Sequence, residues 1–241
     1  RTADKFMNGA AAIQSADREM NLIAGITESA GANIQWLQEQ FFSAEKKEYG
    51  DKIFEYMDEV IKKIPPGSNH LICTPWMLGE RCPVSSTTTR ATLFNISMVH
   101  TREHLMRAVY EGIGYNLRWI LENYSRDYGF SCDNFRIIGG GALDDTWMHI
   151  IADITGKCFS VVKDPRNAGA VGAAVVALIG LGELPGFSAA KDFVQVERCY
   201  EPDPKNRRVY DHLFENYKRV YNSLKDTYIK ANGQRFKGEE E

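Results

Sequence analysis

Three consecutive glycines, Gly139, Gly140 and Gly141, stand between a short apolar run and a helical pattern. Without Cβ atoms their backbone can approach a planar ligand or a phosphate closely, and a positive φ costs little there. The helix that follows would offer unpaired N–H groups to an anion. A tight turn without a ligand explains the triplet equally well, so both interpretations stay open. The spacing is neither GxGxxG, because the sixth residue is Asp144, nor GxxxxGK[ST], so neither a dinucleotide-binding nor a P-loop site is predicted.

The segments on either side of these glycines predict the elements that would position them. Residues 135–138 indicate a buried strand, and a helical pattern with Trp147 on its inner face ends at Gly156. Residues 158–162 predict a second strand, and a helix of small residues begins after Asn167. This order of elements is typical of a doubly wound α/β sheet, whose ligands bind at the carboxyl ends of the strands.

The rest of the chain predicts further strands and helices around this unit. Strands are predicted at 7–13, 22–26, 71–77, 91–96 and 193–196. Helices are predicted after the turn 27–32, at 45–64, after the cap residue Thr101 and at 204–231. Thr27 or Ser29 is expected to cap the first of these helices, although the same turn would also suit an anion.

Two pairs of polar residues invite a catalytic interpretation. His104 and Glu111 share the long helix, but seven residues separate them by about 10 Å, too far for a direct hydrogen bond. We therefore expect His104 to pack at the helix N-terminus. Glu80 and Arg81 lie in a polar loop, where a solvated surface ion pair is the plainer expectation. Loops on a rigid scaffold nevertheless often carry function.

Composition restricts the class of protein and its partners. The 241 residues are 44% hydrophobic and 25% charged, which is ordinary for a globular protein. A net charge of −3 gives no reason to expect nucleic acid or a membrane surface as a partner. The five cysteines are widely spaced, with no CxxC and no zinc-type cluster, so a cytoplasmic setting without metal is expected. The chain does not begin with Met, which favours a piece of a longer protein.

Three stretches together resemble one family. They are PPGSNHLICTPWMLGERCP, ATLFNISMVHTREHLMRAVYEGIGYNLRWIL and IIGGGALDDTWMHIIADITGK with the later AGAVGAAVVA. In this order they resemble the C-terminal domain of the FGGY carbohydrate kinases, the xylulokinase and glycerol kinase family. LIAGITESAGANIQWL is similar to the strand, turn and helix that open this domain, so the resemblance extends from about Leu22 to the last helix. Asn95 departs from the family pattern, because it occupies the usual glycine.

The resemblance implies a fold and a division of labour. The fold would be an α/β, ribonuclease-H-like, actin-type ATPase domain, a mixed sheet flanked by helices on both faces. Residues 1–241 would be the nucleotide-side domain, with a disordered tail at 232–241. The N-terminal domain, absent here, would hold the sugar or polyol, the catalytic aspartate and most of the Mg²⁺ and phosphate contacts. The chain alone would therefore be inactive, and its exposed cleft face favours a homodimer.

The resemblance also implies positions for ATP. The backbone of Gly139, Gly140, Gly141 and Ala142 would form a flat wall against adenine. Asp145 would contact the edge of the base, or would instead cap the following helix.

Val99 and Glu103 align with phosphate-side contacts. Glu103 replaces a neutral amide of some members, and its charge would repel phosphate unless Mg²⁺ intervenes. Glu80 and Arg81 resemble the family's GERxP loop, which faces the cleft between the domains, and Arg81 is a phosphate- or sugar-side candidate. Asn167 stands where many members have Glu, so no role is carried over to it.

Two functions follow as alternatives. The first is the nucleotide half of an ATP-dependent sugar kinase, with a ketopentose such as xylulose favoured. The second is a non-catalytic binding or regulatory module of the same fold, which the departures at Asn95, Glu103 and Asn167 motivate.

Overall fold

The computed structural model describes residues 10–233, and every structural statement below refers to that part of the chain. The strands are β1 (Ala10–Gln14), β2 (Asn21–Gly25), β3 (Ile72–Thr74), β4 (Thr92–Phe94), β5 (Asn134–Ile137), β6 (Cys158–Val162) and β7 (Val196–Tyr200). The helices are α1 (Gly31–Phe41), α2 (Ser43–Tyr49), α3 (Ile53–Ile61), α4 (Arg102–Tyr128), α5 (Asp145–Thr155), α6 (Ala168–Gly180) and α7 (Arg207–Asn232). Asn232, predicted to begin the tail, ends α7, and residues 234–241 lie outside the described part.

The mixed sheet consists of β5, β6 and β7 in that order. β5 runs parallel to β6, whereas β6 runs antiparallel to β7. The other four strands form two separate antiparallel pairs, β1 with β2 and β3 with β4. β5 is an edge strand whose residues are alternately exposed and half-buried, so the prediction of a buried strand is wrong there.

The strands predicted at 71–77 and 91–96 are shorter, as β3 and β4, and two further predicted elements differ from the observed ones. The predicted helix at 45–64 is divided into α2 and α3, because Gly50 adopts a φ of +52° that a right-handed helix does not allow. The predicted edge strand at 193–196 begins only at Val196, since Phe193 closes a short 3₁₀ turn at Phe187–Asp192.

The hydrophobic core surrounds α4. Its buried residues include Met106, Val109, Tyr110 and Tyr115, and the helix packs against β3 on one side and α5 on the other. Thr101 is the N-cap of α4, as predicted. Helix α4 therefore connects the strand pair β3–β4 to the unit that carries the glycine triplet.

The cap of α1 is not the predicted one. Ala30 is its N-cap and supplies no side-chain hydrogen bond. The Ser29 hydroxyl instead donates to Asn33 Oδ1 at 2.9 Å, and Asn33 Nδ2 donates to the Pro75 carbonyl at 2.6 Å. Through Asn33, the turn before α1 is thus hydrogen-bonded to the segment that follows β3. Within residues 10–233, no helix is long and apolar enough to cross a membrane.

Candidate functional site

The glycine triplet forms an exposed bend at the carboxyl end of β5. Gly139 has a φ of +98°, which favours glycine, and its N–H donates to the Pro165 carbonyl at 2.8 Å. Gly139 is half-buried and Gly140 is exposed, and a Cβ built on Gly140 would come no nearer to another group than 4.0 Å, at Arg166 Nε. The bend is therefore open to solvent on the side where a planar ligand would lie.

The underside of the bend rests on Trp147. A Cβ at Gly141 would lie 2.6 Å from the Trp147 ring, so this glycine is required by the packing of α5. Trp147 is 8% exposed, which confirms the expectation that it packs in the core. Ala142 is 1% exposed as a whole residue, so its backbone is not open to a ligand, and the prediction that it forms part of the adenine wall is wrong. A ligand is therefore not needed to explain the third glycine of the triplet.

The two aspartates after the bend have separate roles. Asp144 caps α5, since its carboxylate accepts from Trp147 N–H at 2.9 Å. Asp145, for which a cap was the alternative interpretation, is already the first residue of the helix. Its carboxylate bonds with the side chains of Arg198 and Tyr200 on β7, so the cap interpretation is wrong. A base contact by Asp145 stays a prediction.

Burial raises the pKa of Asp144 to about 6, and the nearby Asp58 carboxylate adds to the effect. A carboxyl group whose pKa is raised on folding makes the protein less stable as pH rises from about 4 to about 6. Asp144→Asn keeps a cap acceptor and removes the charge. We expect the variant to gain on the order of 2 kcal/mol over wild type at neutral pH and nothing near pH 4. Urea unfolding across this pH range measures the difference.

Asp144→Ala is the matched variant, because it removes both the charge and the cap. A stability difference between Asp144→Asn and wild type that stays constant with pH would contradict a raised pKa at Asp144.

A second candidate group lies where the predicted cleft loop meets the turn before α1. Glu80 is 4% exposed and accepts from the N–H of Glu28 at 2.8 Å and from Asn116 Nδ2 at 2.9 Å. Burial raises the pKa of the Glu80 carboxyl. Arg81 is exposed and pairs with Glu28 at 2.6 Å. The expected Glu80–Arg81 surface pair is thus wrong, because Glu80 is an internal acceptor and Glu28 is the partner of Arg81.

The phosphate-side candidates lie at the start of α4. Val99 is 68% exposed in the loop before the helix, and Glu103 pairs with Arg102 at 3.1 Å. Seven residues, or about 10 Å of helix, separate Glu103 from Tyr110. The Tyr110 ring contacts Trp147 beneath the glycine bend, with the ring centroids 5.3 Å apart. The candidates therefore form three groups, namely the glycine bend, the buried Glu80 with its partners, and the start of α4.

Asn95, the departure from the family glycine, has a φ of +69°. Asparagine tolerates this conformation better than other residues with a Cβ, so the substitution preserves the backbone of the loop. We expect Asn95→Ala to lower the free energy of unfolding by about 1 kcal/mol, the usual cost of a left-handed alanine. Asn95→Gly is the control: both variants lose the hydrogen bond from Asn95 Nδ2 to the His70 carbonyl, so glycine should be the more stable of the two in thermal unfolding. Equal stability of the two variants would contradict a requirement for positive φ.

Three residues near these groups were not predicted from the sequence. Arg166 is exposed beside Gly140, and its place in a turn between β6 and α6 was the signal available. His100 and Asn69 contact each other and His104 beside the start of α4. His104 belongs to a capping box with Thr101, so it caps the helix rather than merely packing against it. Only the folded chain brings Asn69 and the two histidines together.

Comparison with known proteins gives these groups a family context. The C-terminal domain of the FGGY family of carbohydrate kinases matches residues 7–181. Xylulose kinase of Bacillus subtilis is 33% identical over 204 residues, which are 84% of this chain and 39% of that protein. Gluconokinase of Bacillus licheniformis is 25% identical over 218 residues, 89% of this chain and 42% of that protein. This chain thus spans about two fifths of the length of these relatives.

A solved structure also matches. The ligand-bound xylulose kinase from Lactobacillus acidophilus superposes with a TM-score of 0.81 at 25% identity, over 93% of this chain and 44% of that one. The fold is thus that of the actin-like ATPases, which confirms the predicted fold class. The chain belongs to the FGGY family of carbohydrate kinases and corresponds to its C-terminal domain.

Proposed function

We propose that this chain is the nucleotide-binding half of an ATP-dependent sugar kinase, which transfers the γ-phosphate of ATP to a hydroxyl group of a sugar or polyol. The observation that carries the proposal is the open glycine bend at the end of β5, in a domain of the FGGY family. A ketopentose such as xylulose is the favoured acceptor, since several of the most similar relatives are xylulose kinases. The five cysteines, all free thiols, support a cytoplasmic setting.

The bend fits a base better than it fits a phosphate. Gly139 and Gly140 present backbone with free space above it, whereas the N–H of Gly139 is already donated to Pro165. The adenine ring would lie against the backbone of Gly140 and Gly141, with Asp145 at its edge. The phosphates would extend towards Val99 and Glu103. In this arrangement the chain orients the nucleotide and leaves the acceptor hydroxyl to another domain.

Mg²⁺ would accompany ATP and neutralise charge on its phosphates. Among residues 10–233, no three His, Cys, Asp or Glu side chains are grouped as a metal site requires. Glu103 alone would not hold the ion, so we assign Mg²⁺ mainly to the remainder of the longer protein. The isolated chain is accordingly proposed to be inactive, and a homodimer through its exposed face remains part of the proposal.

The test uses the longer protein that carries this chain, with a panel of ketopentoses, gluconate and polyols and a coupled assay of ADP release. Gly140→Val would place a side chain where adenine is expected, in space that no protein group occupies. We expect KM for ATP to rise about tenfold or more, the equivalent of about 1.4 kcal/mol of lost binding, with the melting temperature unchanged. Gly172→Val on α6, also without neighbours within 4 Å, is the control. An unchanged KM for ATP would contradict the assignment of the bend.

A non-catalytic module of the same fold is the second candidate. Glu103 and Asn167 favour it, because each departs from a residue that the family pattern carries. Asn95 does not favour the non-catalytic module, because its left-handed backbone conformation suits asparagine as well as the family's glycine. Calorimetry with Mg²⁺–ATP on the longer protein separates the two functions. Nucleotide binding with turnover supports the kinase, and binding without turnover on the whole panel supports the module.

A further inference from the structure

The carboxylate of Asp145 is held by two donors on β7. A guanidinium N–H of Arg198 and the hydroxyl of Tyr200 both donate to the same oxygen, Oδ1. Among residues 10–233, no group donates to the second oxygen, Oδ2, and the side chain of Asp145 is 58% exposed. The carboxylate therefore has one oxygen that protein groups occupy and one that is available to a ligand.

The sheet determines where these two donors lie. Arg198 and Tyr200 are two positions apart on β7, so their side chains leave the strand on the same face. The antiparallel pairing with β6 sets Arg198 opposite Val161 and Tyr200 opposite Phe159. The buried Tyr200 ring also contacts the His149 ring edge-on, with the ring centroids 5.0 Å apart. The donors are thus built into the sheet and hold the carboxylate in one orientation.

Both donors keep their protons at neutral pH. An arginine side chain is charged throughout the physiological range. Burial raises the pKa of Tyr200 to about 12, and its bond to Asp145 adds to the effect. One oxygen of the Asp145 carboxylate is therefore occupied at every pH at which the protein would work.

The position of Asp145 in the chain connects this group to the glycine bend. Asp145 is the first residue of α5, and the short 3₁₀ turn at Gly140–Leu143 comes directly before it. A base that lies against the bend, as in the proposed function, therefore has Asp145 at its edge. Arg198 and Tyr200 lie beyond residue 181, where the match to the family ends, so the resemblance assigns neither of them a role.

The two purine bases offer different groups to such an oxygen. Adenine presents an amino group, which is a donor, at the position where guanine presents O6, which is an acceptor. A carboxylate oxygen only accepts hydrogen bonds, so it binds the amino group and repels O6. Guanine also carries two neighbouring donors, but a contact with both takes two carboxylate oxygens, and Oδ1 of Asp145 is occupied. A single available oxygen at this edge therefore favours adenine.

We propose that Arg198 and Tyr200 are positioning residues, which occupy Oδ1 of Asp145 and leave Oδ2 as the single acceptor that selects adenine over guanine. This inference rests on the proposed function, because it requires the base of the nucleotide to lie on the glycine bend. Asp145 is the residue that touches the base, and the two residues of β7 act through it.

Discrimination between ATP and GTP by the longer protein tests the positioning. The measured quantity is the ratio of kcat/KM for Mg²⁺–ATP to kcat/KM for Mg²⁺–GTP, because a general loss of folded protein lowers both values alike. We expect a ratio of about ten or more in wild type, the equivalent of about 1.4 kcal/mol. Combining Arg198→Met with Tyr200→Phe should lower it about tenfold, since the freed carboxylate can turn both oxygens to guanine.

Asp145→Asn gives the sharper test. Its amide oxygen would accept from Arg198 and Tyr200, which sets the amide NH₂ group, a donor, in the place of Oδ2. That donor matches O6 of guanine, so this variant should prefer GTP. When Asp145→Asn is combined with Arg198→Met and Tyr200→Phe, nothing fixes the orientation of the amide, and the preference should disappear. A residue of merely structural importance would not produce this pattern.

Arg219→Met is the control, a change at an exposed arginine on α7 that should leave the ratio unchanged. Three results would overturn the positioning role and leave the kinase proposal standing, namely a wild-type ratio near one, a wild-type ratio in the combined Arg198 and Tyr200 variant, or an undiminished preference for ATP in Asp145→Asn.

The proposed function fails separately. If the longer protein consumes neither nucleotide with any acceptor, calorimetry with Mg²⁺–ADP and Mg²⁺–GDP measures the same preference as a ratio of dissociation constants. Binding with the expected pattern among the variants supports the positioning role without catalysis. Binding of neither nucleotide refutes the proposed function, and this inference with it.

Discussion

Replacing Glu111 with alanine is expected to lower the free energy of unfolding by about 3–5 kcal/mol, since it leaves the buried Arg107 without a counter-charge. Glu111 is 1% exposed, and its Oε1 accepts from Arg107 Nε at 2.8 Å and from the Tyr210 hydroxyl at 2.9 Å. The same carboxylate accepts from the N–H of Gly67 and from the Ser68 hydroxyl, both at 2.8 Å. Urea unfolding followed by circular dichroism measures the loss.

The same helix supplies a control for this change. Glu122 pairs with Arg118 at the same spacing of four residues, but its side chain is 46% exposed, and Arg118 keeps a second partner in Asp211. Glu122→Ala should therefore cost about 0.5 kcal/mol or less. Similar losses of stability in the two variants would show that burial does not determine how much each ion pair contributes to the free energy of unfolding. His104 is not among the partners of Glu111, which agrees with the expectation that residues seven positions apart on the helix are too far from each other for a direct hydrogen bond.

Gly112→Ala is expected to destabilise the domain by about 3 kcal/mol, a cost typical of overpacking a rigid contact. Gly112 lies where α4 crosses β3, and a Cβ there would collide with the Cys73 backbone carbonyl. A backbone group in a strand cannot rotate aside, so α4 and β3 would have to separate. The melting temperature and the urea midpoint both report this loss.

Gly172→Ala on α6 is the matched helical glycine. No atom lies within 4 Å of the Cβ that would be added, and alanine favours a helix over glycine. We expect this variant to gain about 0.5–1 kcal/mol. If Gly112→Ala also gained stability, the close approach of α4 to β3 would be refuted.

Local signals predicted several elements well. The helix ending at Gly156 is α5, whose C-cap is that glycine in the left-handed conformation, and the strand at 158–162 is β6. Thr101 caps α4, and Trp147 is in the core. In each case neighbouring residues of the sequence carry the information, such as a cap, a stop or a periodic apolar face. The glycine at position 50 was a local signal for the division between α2 and α3. The apolar periodicity continues on both sides of it, however, and suggested a single helix.

The candidate site could be predicted only in part. The glycine bend and its place at the end of a strand follow from the sequence, whereas the reason for Gly141 is a ring six residues further on that packs beneath it. Glu80 was taken for a surface residue because its partners Glu28 and Asn116 are 52 and 36 residues away. The choice between Asp144 and Asp145 as helix cap depended on a one-residue difference in where α5 begins, which periodicity does not resolve.

By itself, the amino-acid sequence determined the order of elements, the glycine bend, the cap of the long helix and, through its motifs, the family. The tertiary structure alone decided which polar side chains are buried and which partners they have, as at Glu80 and Glu111, and it alone brought His100 and His104 to Asn69. The physical reason is how far apart in the sequence the interacting residues are. Caps, turns and periodic faces depend on residues within a few positions of one another, whereas desolvation and pairing of a charge depend on groups that only folding brings into contact.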